Sequence, residues 1–239
     1  MGVQRPVARL GQLVLDLLFP PRCASCGGYD QFICRSCADA MPKAQPPRCP
    51  VCWQRQPAAD VCRRCQQQPP AFAAARSPFV YEGPVRSAVH SFKYGYVSAL
   101  GGPMAALMAQ GLRQHFPPTL VLVPVPLSPW RQRSRGYNQA ALLARELATL
   151  CGLPLAEDAL VRRRNTAPQA RLTGESVADQ RRRNVQGAFL ARPEALPAGT
   201  TPLLVDDVMT SGATLDACAL ALKEAGASTV FALVFARED

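Results

Sequence analysis

Apolar residues along the chain alternate between short continuous runs and stretches with helical spacing. Phe79-Val80-Tyr81, Thr119 to Val123, Leu160 to Arg162, Pro202 to Val205 and Thr229 to Val234 read as strands. The run ending at Val123 has no polar alternation, as expected of a strand covered on both faces of a parallel sheet. Between these runs, Gly83-Pro84 opens a helix toward Tyr94, and Gly101-Gly102-Pro103 precedes another reaching about His115. Further helices are predicted over Ala140 to Leu150 and Thr214 to Ala225, the latter closed by Gly226. Pro124-Val125-Pro126 cannot continue a ladder, so the segment Trp130 to Gln139 is expected as a loop leading into the helix at Ala140. Strand, helix, strand repetition makes an α/β core with a parallel sheet.

This patterning is absent before residue 66, where cysteine replaces it. Eight of the ten cysteines form four C-x-x-C knuckles, Cys23/Cys26, Cys34/Cys37, Cys49/Cys52 and Cys62/Cys65. Zinc favours four tetrahedral thiolates, and one tight turn aims two sulfurs at the same ion, so four knuckles make two sites. A disulfide framework needs export and an oxidising compartment. The stretch 7–19 is interrupted by Asp16 and is followed by Pro20-Pro21 rather than a small-residue cleavage site, so it is expected as a short amphipathic helix. No run approaches the roughly 20 apolar residues of a membrane span, and the expected setting is a soluble protein of the reducing cytoplasm. Two pairings satisfy the knuckles. Short gaps favour the sequential one, Cys23, Cys26, Cys34 and Cys37 on one zinc and Cys49, Cys52, Cys62 and Cys65 on the other, over a cross-braced arrangement of first knuckle with third. Gln66 to Pro70 reads as a linker, giving an amino-terminal helix and double zinc ribbon over 1–70 and the α/β domain over 71–239.

Charge adds an anion preference. The formal +10 falls to about +6 once eight thiolates hold two zinc ions. Arg131 to Arg192 contains twelve arginines against five acids. Arg131, Arg133 and Arg135 stand at alternate positions, and Arg163, Arg181 and Arg183 fall in a long polar stretch with the character of a lid. His90 and His115 are isolated on helices and suggest no catalysis.

The most informative stretch is Leu203-Leu204-Val205-Asp206-Asp207-Val208-Met209-Thr210-Ser211-Gly212-Ala213-Thr214. An apolar strand ends in two acids, and a hydroxyl-rich glycine turn opens a helix. Ligands bind at such strand-to-helix turns in open α/β sheets. Thr210, Ser211 and Thr214 supply hydroxyls, Gly212 and Ala213 allow close backbone approach, and the helix start directs unpaired N–H groups at a phosphate. Ionised Asp206 and Asp207 only accept hydrogen bonds, which suits ribose hydroxyls or a hydrated magnesium ion.

This motif closely resembles the 5-phosphoribosyl-1-pyrophosphate (PRPP) motif of type I phosphoribosyltransferases. Together with the four knuckles, Ser91-Phe92-Lys93-Tyr94, Arg135-Gly136-Tyr137-Asn138-Gln139, Thr166 to Gln169, Arg183-Asn184-Val185 and Gly187-Ala188-Phe189, it is similar to the ComF family over nearly the whole chain. Ser211 stands where many relatives carry Thr, which keeps the hydroxyl. The resemblance implies a type I phosphoribosyltransferase-like, Rossmann-like fold and a link to natural transformation and the use of imported DNA. It implies Asp206 and Asp207 on the ribose, Thr210 to Thr214 on the 5-phosphate, and the loop after Val123 on a pyrophosphate with its magnesium. Two classes of function follow: a phosphoribosyltransferase with an unidentified acceptor, or an adaptor that uses zinc ribbons and arginines on single-stranded DNA or on proteins of the DNA-uptake machinery. No residue stands out as an obligatory general base, which is compatible with an oxocarbenium-like transfer helped by positioning and charge.

Overall fold

The computed structural model describes residues 20–95, 97–117, 119–163 and 187–239. The helix expected over 7–19, the Thr166 to Gln169 element, Arg181, Arg183 and most of the polar stretch that carries them lie outside the described residues.

Two one-turn helices, α1 (Arg35–Asp39) and α2 (Arg63–Gln67), each follow the first cysteine of a knuckle. Then come β1 (Ala74–Arg76), β2 (Phe79–Val80), α3 (Gly83–Tyr94) and α4 (Gly101–His115). They lead to β3 (Leu120–Pro124), α5 (Pro129–Arg135), α6 (Gln139–Cys151) and the short strands β4 (Leu160–Arg162) and β5 (Phe189–Ala191). The chain closes with β6 (Thr201–Met209), α7 (Ala213–Glu224) and β7 (Phe231–Arg237).

The main sheet is parallel, in the order β1-β7-β6-β3, with β2 also on β7. β1 and β2 together form one broken edge strand, interrupted at Ser77-Pro78 where proline has no N–H to give the ladder. Both faces are covered. Leu204, Ala232 and Val234 pack toward α7 together with Cys49, Cys52, Cys62 and Cys65, while Leu203, Val205, Leu233 and Phe235 pack toward α3, α4 and α6.

Two sequence expectations change. The segment after Ser128 is not a loop: Pro129 at its first turn and the Ser128 hydroxyl, which accepts from the Arg131 amide at 3.4 Å, start helix α5, and Gly136 in the left-handed region ends it. Leu160 to Arg162 does form a strand, but not in the parallel sheet; it pairs antiparallel with β5 in a separate ribbon. No helix among the described residues is long and apolar enough to cross a membrane.

Candidate functional site

The cysteines form two quartets, Cys23/Cys26/Cys34/Cys37 and Cys49/Cys52/Cys62/Cys65, with the sulfurs of each within 4.8 Å of one another. This is the sequential pairing, and it excludes cross-bracing. All ten cysteines are unbridged. The Cys26–Cys34 and Cys52–Cys62 sulfurs are 3.8 and 3.7 Å apart. A tetrahedron with Zn–S bonds of about 2.3 Å has edges of roughly 3.8 Å, so both quartets have the dimensions of a zinc ribbon site. Each also takes a backbone N–H bond on its first sulfur, Cys34 N to Cys23 Sγ at 3.5 Å and Cys62 N to Cys49 Sγ at 3.4 Å.

A second candidate site opens at the carboxyl edge of the sheet. β6 runs on to Met209, so Asp206 and Asp207 lie within the strand, beyond the reach of β3, which pairs only as far as Val205. Alternation along the strand sends their side chains to opposite faces. Asp207 is 4% exposed and meets Lys93 Nζ at 2.8 Å, on the face that carries α3. Burial acts to lower the Lys93 pKa, but the Asp207 carboxylate outweighs it and the net direction is up. Asp206 has no such partner among the described residues. Burial, then the charge of Asp207, pushes its carboxyl up to about 7, although it accepts from the Asp207 amide at 2.8 Å.

Beyond Met209 the chain turns through Thr210 to Gly212. Gly212 has φ +75°, a left-handed conformation that favours glycine in the turn into α7, and an added Cβ would also push the flexible end of Met209 aside, 2.6 Å away. Helix α7 starts directly after this turn, with Ala213 N against the Ser211 hydroxyl at 3.4 Å.

A cavity of about 470 Å³ opens beside the two acids, and of the Thr210–Thr214 turn it is Thr214 that lines it, while Thr210, Ser211, Gly212 and Ala213 do not. Its lining includes Asp206, Asp207, Thr214, Lys93, Arg131, Arg135 and Arg162, so four cations surround two carboxylates. The helical form of α5 decides which arginines contribute. Residues 131 and 135 lie one turn apart on one face, whereas Arg133 is on another, exposed and away from the lining. Arg163 is also absent from the lining, as are His90 and His115, which stack instead on Tyr94 and Trp53.

Lys93, Tyr94, Gln139 and Arg162 are site residues that patterning missed. Lys93 and Tyr94, like Gln139, stood in elements that carry the ComF resemblance but were assigned no role; Lys93 is also the cation in the last turn of an amphipathic helix. Its placement depends on the Arg135-Gly136-Tyr137-Asn138-Gln139 element. The Tyr137 hydroxyl donates to the Phe92 carbonyl at 2.6 Å, and the buried Gln139 amide donates to the same oxygen at 3.5 Å. Asn138 caps α6 through Ala140 N at 3.0 Å and donates to the Val125 carbonyl at 3.1 Å. Arg135 then bridges Gln139 Oε1 at 3.2 Å and the face of Tyr94, with its carbon 5.0 Å from the ring centre. This element therefore fixes the end of α3, and with it Lys93, against β6.

Comparison with known proteins matches the two parts separately. Residues 133–239 match the phosphoribosyl transferase domain family and residues 14–71 the double zinc ribbon domain family. Over its length the chain is similar to DNA utilization protein YhgH of Salmonella typhimurium, 34% identical over 206 residues, covering 83% of this chain and 87% of the relative. Competence protein ComFC of Bacillus subtilis is 27% identical over 204 residues, covering 82% and 80%. Competence protein F of Haemophilus influenzae is 28% identical over 220 residues, covering 87% and 93%.

Proposed function

Given that the chain belongs to the ComF family, with the DNA utilization and competence proteins it resembles, we propose that it binds PRPP, or a closely related sugar phosphate, and serves the handling or use of imported DNA in the cytoplasm. The observation that carries this reading is that two carboxylates of β6, Thr214 in the first turn of α7 and a cationic wall line one cavity.

In this reading Asp206 and Asp207 accept from the two ribose hydroxyls, and the Thr210–Thr214 turn with the first amides of α7 receives the 5-phosphate. Arg131 and Arg135 face the pyrophosphate, which brings magnesium as its counter-ion. Lys93 shares its charge between Asp207 and the incoming anion. If transfer follows, departure of pyrophosphate leaves positive charge on the ribose C1, and the nearby carboxylates stabilise it without accepting a proton. The acceptor attacks from the open side of the cavity, where Trp130 and Tyr94 are 64% and 57% exposed. Those rings beside Arg131 and Arg135 also support a second reading, in which the same rim stacks the bases of single-stranded DNA.

The test is calorimetric titration of zinc-loaded protein with PRPP and magnesium, alongside an Asp206→Asn, Asp207→Asn double variant shown to be folded. Saturable binding that weakens at least tenfold in the variant is expected. A folded wild type that takes up no PRPP would overturn the reading. Salt-dependent binding of a single-stranded oligonucleotide, lost on Trp130→Ala and Arg135→Ala, measures the second reading independently.

A further inference from the structure

Arg237, the last residue of β7, is only 1% exposed, a depth at which a guanidinium needs partners. Its Nη1 donates to the Thr210 carbonyl at 2.9 Å, and its Nη2 donates to Oε1 of Gln54. Gln54 belongs to the third knuckle, where its own carbonyl accepts from the Cys49 amide at 2.8 Å. One side chain thus spans from the knuckle that supplies Cys49 and Cys52 to the first residue of the phosphate turn.

Charge complements this geometry. Four thiolates and one zinc ion leave a net charge of −2, and Arg237 stands beside it. Burial pushes the guanidinium pKa down, and the Cys52 thiolate acts against that. Neighbouring ties reinforce the bridge. Arg48, 4% exposed, donates to the Trp53 carbonyl at 2.9 Å and in two bonds of 2.7 and 2.8 Å to Asp239. The Glu238 amide in turn donates to the Met209 carbonyl at 3.0 Å. The knuckle is therefore fastened to the end of β7, and the end of β7 to the end of β6, from which the turn departs.

Fixing a carbonyl fixes its whole peptide plane. In a trans peptide the C=O and the following N–H point in opposite directions, so Arg237 holding the Thr210 oxygen also sets the direction of the Ser211 N–H, a candidate phosphate donor. We propose that the second zinc ribbon is a working part of the sugar-phosphate site: Arg237, held by Gln54, is a positioning residue for the Thr210–Thr214 turn, so zinc at Cys49/Cys52/Cys62/Cys65 and ligand at the turn bind cooperatively. Zinc at the first quartet is indifferent to that ligand, because its ties run elsewhere, as from the Ser25 hydroxyl to the Pro84 carbonyl at 3.1 Å. This inference rests on the sugar-phosphate reading of the turn.

Coupling between sites is reciprocal, and typical couplings are about 5- to 150-fold. The experiment follows zinc release from the full zinc-loaded chain to a zinc-selective chromophoric chelator, with and without PRPP and magnesium. Two steps of one zinc each are expected; PRPP slows the later step about tenfold and leaves the earlier one unchanged. Gln54→Leu keeps all eight thiols yet removes this protection and weakens calorimetric PRPP binding about tenfold. Gln54→Asn, one methylene shorter, replaces it if Gln54→Leu does not fold. Wild-type protein that binds PRPP without slower release, or a variant that keeps the protection, overturns the coupling. If wild-type protein does not bind PRPP, the reading of the turn fails, and the link is then judged from amide exchange of Ser211 to Thr214 without ligand. Exchange about tenfold faster in Gln54→Leu supports the positioning role, and unchanged exchange overturns it.

Discussion

The two cysteine quartets have the same ligands and nearly the same sulfur geometry, yet they relate to the sheet in different ways. In the second, all four cysteines are at most 7% exposed and belong to the apolar cluster that includes α7 and one face of the sheet. In the first, Cys26 is exposed and Cys34 and Cys37 are half-buried; its segment packs on the opposite cluster through partly buried Ala24, Phe32 and Ile33, with Met41 buried just beyond it. The two aspartates divide the same way, Asp207 toward the face of α3 with a lysine partner and Asp206 toward the face of α7 without one among the described residues. One quartet is built into the core and the other is attached to it, which shows that a repeated motif need not carry a repeated role.

Removing a ligand from each quartet separates them most strongly. A structural zinc contributes on the order of 10 kcal/mol, comparable with the whole stability of a domain. Cys52→Ser is therefore expected to abolish cooperative thermal unfolding of the α/β core, whereas Cys26→Ser loses one zinc by metal analysis and keeps the melt. Equal damage from both would erase the contrast.

On the Asp207 face, Lys93→Met strands a buried carboxylate and is expected to cost about 3 to 5 kcal/mol in urea unfolding. Adding Asp207→Asn recovers most of that loss, because no charge then remains to be compensated.

On the Asp206 face the effect depends on pH. The folded pKa of about 7 lies above the ordinary carboxylate value, so this group favours folding fully below about pH 4 and loses that contribution as pH rises through 7. Asp206→Asn, which never ionises, is expected to be more stable than wild type at pH 8, by on the order of 2 to 4 kcal/mol, and equally stable at pH 4. A melting difference independent of pH would contradict this assignment.

The smallest effects concern two ties outside the site, one buried and one at the surface. Asp239→Asn leaves Arg48, with 3% side-chain exposure, without its carboxylate and is expected to cost about 1 to 3 kcal/mol. Burial acts to raise the Asp239 pKa, but the Arg48 hydrogen bonds and charge hold it below the usual range. This tie is therefore present above about pH 4 and is lost as pH falls through the depressed value. Arg35→Ala, beside the first quartet, breaks only a 3.9 Å pair with side chains 94% and 76% exposed, and no measurable change in melting is expected.

Much of this was readable locally. The quartets follow from knuckle spacing because short loops close at least entropic cost. The buried run ending in Val123, the two acids before a hydroxyl turn, and the glycine opening α7 are consequences of side-chain type and neighbour order. The failures have equally specific causes. Arginines at alternate positions in an expected loop suggested that all three act together, but Pro129 and the Ser128 cap start a helix that turns Arg133 away from Arg131 and Arg135. Leu160 to Arg162 has the composition of any buried strand, and only its partner Phe189–Ala191 draws it out of the main sheet.

The amino-acid sequence by itself indicated two four-thiolate sites, a parallel α/β core and an acidic stretch running into an anion-receptive turn, because each leaves a local pattern of residue types, knuckles, apolar runs or one continuous motif. Only the tertiary structure decided that Lys93 neutralises Asp207, that Asp206 is left with a raised pKa, and that Arg237 joins Gln54 to Thr210. These contacts span tens to more than a hundred positions. They exist because packing both faces of one sheet brings distant cations to a few buried acceptors, where low polarity makes each pairing decisive.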